Sequence, residues 1–173
     1  AILKKRVHRN GKNSLIEEVK KCKTSHVKQP GFPKQILEMA QKLAGEDAIF
    51  ATEVGQHQIW AAQALKIRRP RTFLTSGGLG TMGFGLGAAI GAAVATGKRT
   101  VVVAGDGSFY MNFRELATAV AQKLPIIILL MNNGTLGLVR QWQKMMYEGH
   151  YSQTELDKKT DYLALARALG AQA

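Results

Sequence analysis

Two runs in this chain carry almost no polar residue: Thr100–Ala104 (TVVVA) and Ile126–Met131 (IIILLM). Neither alternates apolar with polar positions, so both are predicted as strands of a parallel sheet, the first buried on both faces. Between them Leu116, Ala119, Val120 and Leu124 share one helical stripe. Asn112 and Glu115 have capping-box spacing, which predicts a helix over 112–123. Upstream, Ile36, Leu37, Met39, Ala40 and Leu43 recur at helical spacing, 48–52 reads as a strand, 58–65 as a helix and 72–75 as a short strand. Residues 82–95 form a Gly/Ala-rich helix whose small side chains predict close packing on a neighbour. Helices over 136–146 and 162–169 complete the set. Strands alternating with helices, the central strands uniformly apolar, predict an α/β fold: a three-layer doubly wound parallel sheet.

The length of 173 residues suits one domain with a real core. Net charge is +12, but residues 1–34 hold ten Lys/Arg against Glu17 and Glu18, leaving only +4 for the rest. That basic stretch has no aromatic residue before Phe32 on which a base would stack, so nucleic acid is not an expected partner. A boundary is predicted at Gln29–Pro33, dividing a basic leader, 1–33, from a domain over 34–173. The chain lacks an initiator Met and stops where another strand is expected, so it reads as a fragment, cut short at its C-terminal end. No apolar stretch reaches the roughly 20 residues of a membrane span, and no signal peptide is recognised. The single cysteine, Cys22, fits a reducing, cytoplasmic setting.

Candidate chemistry concentrates where the apolar strands end. Gly105-Asp106-Gly107 closes the first and Asn132-Asn133 the second, so a parallel sheet brings Asp106 and Asn133, 27 positions apart, to one edge. Ligands of open α/β sheets bind at that edge. Asp106 offers charge, Asn133 a neutral carbonyl, and the backbone near Thr135 a further oxygen, a donor set for a hard cation such as Mg²⁺ shared with phosphate. Gly105 and Gly107 allow close backbone approach, and the amides around Ser108 precede a helix, where an anion is favoured. Gly55, Gln56 and His57 open another helix in the same way.

A rival motif is present. Gly78 to Gly83 satisfies G-x-G-x-x-G, with Asp106 ending the next strand, roughly as a dinucleotide fold would place its acid. Against it, the strand before the glycines is short and polar, and the Asn-Asn pair has no part in a ribose contact. On composition alone Met82 and Trp142 read as core residues, and His57 as a surface histidine.

Taken together, Glu53–Gln63 (EVGQHQIWAAQ), Thr75–Gly85, Gly105–Val120 and Asn132–Gln143 resemble the thiamine-diphosphate-binding (PP) domain of thiamine-dependent enzymes. Within that superfamily they are most similar to the acetolactate synthase large subunit. The resemblance spans about 34–173 and implies that Asp106, Asn133 and the backbone oxygen of Thr135 hold Mg²⁺ on the diphosphate. It implies phosphate contacts from Gly55, Gln56, His57, Gly107 and Ser108, and an aminopyrimidine contact from Gly80 and Met82, the latter wedging the cofactor into a V shape. Trp142 matches the position shaping the pocket for a second 2-oxoacid. Leu86-Gly87 departs from the family's usual Leu-Pro. The implied activity decarboxylates pyruvate and joins the remaining two carbons to pyruvate or 2-oxobutanoate, in branched-chain amino-acid biosynthesis. No catalytic residue is assigned in this chain, because the activating glutamate is expected from a pyrimidine-binding domain across a subunit interface. Glu53 is a poor substitute for it. FAD, a homo-oligomer such as a dimer, and a regulatory subunit are expected of the full-length enzyme. A sibling decarboxylase, oxidase or carboligase, a non-catalytic cofactor-binding fragment and a nucleotide-binding oxidoreductase are the alternatives.

Overall fold

The computed structural model describes residues 31–156 and 159–173; most of the basic leader and Cys22 lie outside them. The sheet holds four strands, β1 (Ile49–Thr52), β2 (Phe73–Thr75), β3 (Thr100–Gly105) and β4 (Ile126–Met131), in the order β2-β1-β3-β4. Every pairing is parallel; β3 and β4 run in register from Thr100↔Ile126 to Gly105↔Met131. The helices are α1 (Phe32–Ala44), α2 (Gln56–Ala64), α3 (Phe84–Thr96), α4 (Asp106–Asn112), α5 (Leu116–Ala121), α6 (Gly137–Met146) and α7 (Tyr162–Ala168). They belong to one compact unit, Pro33–Ala173.

The uniformly apolar β3 has its predicted two-sided burial. Val101 and Val103 pack with Leu37, Phe50, Ala61 and Leu65 on one face. Val102 and Ala104 pack with Leu86, Ala89, Phe109 and Leu116 on the other. Consecutive residues of a strand point to opposite faces, so a single run feeds both cores and makes three layers. β4 is an edge strand, and Ile127 on it is 49% exposed. No helix among the described residues is long and apolar enough to cross a membrane.

The Gly/Ala-rich helix packs closely along one stripe only. Gly85, Ala89 and Ala93 of α3 are buried. A methyl group on Gly85 would lie 2.7 Å from the Glu53 nitrogen and 2.8 Å from the Thr52 carbonyl carbon, whereas Gly87 and Gly91 face open space. The backbone of α3 thus rests directly on the end of β1.

One predicted element is corrected. The helix expected over 112–123 starts earlier: α4 begins at Asp106, directly off β3, and passes through a 3-10 turn, Phe113–Glu115, into α5. The Asn112 side chain caps nothing. It donates instead to the Gly83 carbonyl at 3.1 Å, a tertiary bond that displaces the local one.

Candidate functional site

In chain order β1 connects to β2 on one side, then the chain crosses to β3 on the other side of β1 and proceeds outward to β4. The loops leaving β1 and β3 therefore diverge, and a crevice opens between their carboxyl ends. A crevice of about 160 Å³ lies there, lined by Val54–His57, Gly80, Met82, Gly105–Ser108, Asn133 and Thr135–Val139 among others.

Asp106 sits at its floor, 2% exposed. One carboxylate oxygen accepts from Gly107 N at 3.1 Å and the other from Gly134 N at 2.7 Å, tying the head of α4 to the loop after β4. Asn133 is exposed, and its Oδ1 accepts from Thr135 N at 3.1 Å. Thr135 forms an isolated antiparallel bridge with Glu155, through Leu136 N to Thr154 O and Leu156 N to Gly134 O. In such a ladder the groups of successive residues face alternate sides. The N–H of Thr135 is thus turned away from the 154–156 segment and donates to Asn133 Oδ1. Through Gly134 N, the Asp106 carboxylate is thus tied to the loop that carries Asn133 and Thr135.

Glycines set the depth of the crevice. A methyl on Gly107 would meet Leu136 Cδ2 at 2.7 Å, Leu156 Cδ1 at 3.1 Å and Met82 Cε at 3.8 Å. Met82 thus reaches over the head of α4. A methyl on Gly137 would strike Gln56 Oε1 at 2.7 Å and Asn133 Nδ2 at 3.0 Å, so α6 begins where these side chains converge. Gln56 Nε2 also donates to Gln141 Oε1 at 2.9 Å, linking α2 to α6. Gly80 takes a φ of 64°, a left-handed turn that glycine adopts without strain.

His57 and Ser108 lock the two walls together. The Ser108 hydroxyl donates to the Val54 carbonyl. His57 Nε2 accepts from Gly105 N at 3.2 Å, and the ring packs so tightly that a methyl on either Gly55 or Gly105 would come within 2.7 Å of it. Accepting at Nε2 leaves the proton on Nδ1, and the Glu53 backbone supplies the ring's other hydrogen bond. Burial lowers the His57 pKa to about 4, against that opposing bond. The sign follows: a pKa depressed from 6.5 gives stability that is complete above pH 6.5 and lost as pH falls toward 4. At about 1.4 kcal/mol per unit, the loss is expected to total about 3 kcal/mol. Urea unfolding of the wild type and His57→Gln between pH 7 and pH 4 checks this; parallel pH curves would refute it.

His57, read on composition as a surface histidine, is buried, and Trp142, read in the same way as a core residue, is half exposed. Trp142 is 53% exposed on α6 and does not line the crevice, because α6 turns Gly137–Val139 toward it. Glu53 is 1% exposed and lies beneath the head of α3, where its Oε2 accepts from Gly83 N at 2.7 Å and its Oε1 from Leu86 N at 3.1 Å. Burial raises its pKa and outweighs the amides that lower it. The signal for this role was present, since the head of α3 is glycine-rich and has no polar side chain to cap itself.

The donor set suits a cation carried on phosphate. Among the described residues no three His, Cys, Asp or Glu cluster as a metal cage, and Asp106 is the carboxylate that lines the crevice. Mg²⁺ typically takes one or two carboxylates and completes its shell with phosphate and water. The family described as "Thiamine pyrophosphate enzyme, C-terminal TPP binding domain" matches residues 53–173. The chain belongs to this family. The cofactor named in that description is thiamine pyrophosphate (thiamine diphosphate). It is 47% identical over 143 residues to an acetolactate synthase of Mycobacterium bovis, covering 80% of this chain and 23% of that protein. It is 53% identical over 125 residues to the acetolactate synthase isozyme 2 large subunit of Escherichia coli K12, covering 72% and 23%. With the acetolactate synthase large subunit of Corynebacterium glutamicum it shares 48% over 153 residues, covering 84% and 24%. This TPP-binding domain thus spans about a quarter of the length of the curated relatives it matches.

Proposed function

We propose that this chain is the cofactor-anchoring domain, 34–173, of an acetolactate synthase large subunit. The observation that carries the reading is the buried Asp106 carboxylate, bonded at once to the Gly105–Gly107 turn and to the loop holding Asn133 and Thr135. Asp106, Asn133 Oδ1 and the Thr135 carbonyl would hold Mg²⁺. The backbone of Gly55, Gln56, Gly107 and Ser108 would meet the diphosphate, and Gly80 and Met82 the aminopyrimidine. When bound, the cofactor supplies the electron sink for decarboxylating a 2-oxoacid and for carbon–carbon bond formation. The chain's own residues anchor its tail and shape the wall against which its rings bend.

Both carboxylates beside the crevice are committed to backbone amides, Asp106 to Gly107 and Gly134, Glu53 to Gly83 and Leu86. Neither is assigned the activating role: Asp106 is placed in the cation's donor set, and Glu53 lies beneath the head of α3. The activating glutamate, FAD, homo-oligomeric partners and a regulatory subunit belong, in this reading, to other parts of a cytoplasmic enzyme acting on pyruvate and 2-oxobutanoate. Two measurements test it. The full-length gene product is expected to form acetolactate from pyruvate, and this chain alone to consume no pyruvate even with TPP and Mg²⁺. Turnover by the isolated chain would overturn the assignment of the activating group elsewhere. Calorimetric titration with TPP and Mg²⁺, set beside NAD, tests the cofactor; preference for NAD would return the site to the dinucleotide reading.

A further inference from the structure

We propose that Glu53 is a positioning residue for the ring end of the cofactor, gripping the turn that aims Met82 over the crevice. The inference rests on the TPP reading of the site and assigns a role to a buried group which that reading leaves idle.

Met82 lies between two anchored residues. On one side, Thr81 N donates to Ser76 Oγ at 3.0 Å. On the other, Gly83 is held twice, its N–H by Glu53 Oε2 at 2.7 Å and its carbonyl by Asn112 Nδ2 at 3.1 Å. The Ser76 bond is exposed, whereas Glu53 is buried and binds Leu86 N as well. A carboxyl group that accepts from two backbone amides, one buried and one part-buried, is the strongest of these ties. It is also the one that couples the turn to the sheet, because Glu53 directly follows β1 and its own N–H donates to the Val103 carbonyl of β3 at 2.9 Å.

The helix behind Met82 depends on the same carboxylate. Gly83, the N-cap of α3, sits at φ 87° and has no side chain to satisfy the first amides. Glu53 satisfies them from another strand and places negative charge at the positive end of the helix. The close approach of Gly85 to the Glu53 and Thr52 backbone leaves this helix start no room to shift toward β1. A residue that only capped α3 could sit anywhere near its first turn. This one bonds the residue adjacent to Met82, and Gly55 and Gln56 of the tail-binding loop follow it within three positions. Its backbone thus leads into the wall for the diphosphate while its side chain fixes the wall for the rings.

The test separates rings from tail. The full chain, as wild type, Glu53→Gln, Met82→Ala and the double variant, is titrated calorimetrically with two probes in the presence of Mg²⁺: TPP and inorganic pyrophosphate. Wild type is expected to bind TPP more tightly than pyrophosphate. Glu53→Gln, which keeps the side chain's shape but offers one acceptor where there were two, is expected to weaken TPP roughly tenfold while leaving pyrophosphate within about twofold. Adding Met82→Ala to Glu53→Gln is expected to cost nothing beyond Met82→Ala alone, since a residue acting through Met82 has nothing left to position. The circular dichroism of the bound cofactor at saturation should change in Glu53→Gln as it does in Met82→Ala. Equal weakening of both probes, no weakening of TPP, or additive losses in the double variant would each overturn the proposal. Wild type failing to bind either probe would overturn the site reading instead. If Glu53→Gln does not fold, Ser76→Ala combined with Asn112→Ala, which frees the same turn and leaves Glu53 in place, is expected to retain most TPP affinity; a loss as large as that of Met82→Ala would place the control outside Glu53.

Discussion

Replacing Asp106 with alanine is expected to abolish Mg²⁺-dependent TPP binding, a loss of at least about 100-fold in affinity, or about 2.7 kcal/mol. The carboxylate is the only charge in the donor set at the head of α4, and it is 2% exposed, so neither solvent nor a neighbouring acid replaces it. The substitution also strands the Gly107 and Gly134 amides, each left unsatisfied at a cost of about 1–3 kcal/mol. Part of any loss could therefore reflect a disordered loop, and Asp106→Asn separates the two effects. The amide keeps one acceptor and the side chain's shape but removes the charge, so it should restore much of the thermal stability without restoring affinity. Calorimetry with and without Mg²⁺, beside melting curves of the cofactor-free chain, makes the comparison. Unchanged affinity in Asp106→Ala would sink the metal assignment.

Gly85→Ala is expected to be the most damaging single methyl group in the α3–sheet interface. Its new carbon would stand 2.7 Å from the Glu53 nitrogen, 2.8 Å from the Thr52 carbonyl carbon and 2.9 Å from the Thr52 oxygen. All three are backbone atoms of a buried strand end, so no rotamer change relieves the clash and α3 must move as a body. Overpacking of this kind costs about 1–3 kcal/mol, and more where the neighbour cannot yield; we expect about 3 kcal/mol. Gly87→Ala is the internal control, because that position faces open space on the same helix, where alanine favours the helix by up to about 1 kcal/mol over glycine. Urea denaturation of both variants measures the difference. Near-equal stabilities would show that α3 does not sit on β1 as closely as described.

The outline of this fold was legible because β3 and β4 are uniformly apolar; β3 is buried on both faces, whereas β4, at the sheet edge, is only partly covered and leaves Ile127 exposed. The meeting of Asp106 and Asn133 followed from parallel pairing alone, which carries both strand ends to one edge. Other features depended on contacts between residues far apart in sequence. Glycine on both sides of Asp106 reads as a turn, yet Asp106 is the first residue of α4. Asn112 has capping-box spacing but bonds Gly83, 29 positions away. Glu53 is a lone acid after a strand, and its function becomes visible only when α3 is laid across it. Trp142 reads as a core residue on composition, yet its ring is half exposed on α6, because the apolar positions of that helix do not all face the sheet.

Among the described residues no strand pairs with the outer side of β4, which has a consequence for handling the chain. Six consecutive apolar residues, IIILLM, line that edge with no lysine, glutamate or proline among them to serve as a gatekeeper. Unpaired backbone groups along such a strand are a template for another chain's strand, and charged residues are the usual deterrent. Self-association should therefore rise with protein concentration and be blunted by a charge at the half-exposed Ile127. The strand that ends at the Asn133 loop is thus also the one through which another chain's strand would add to this sheet.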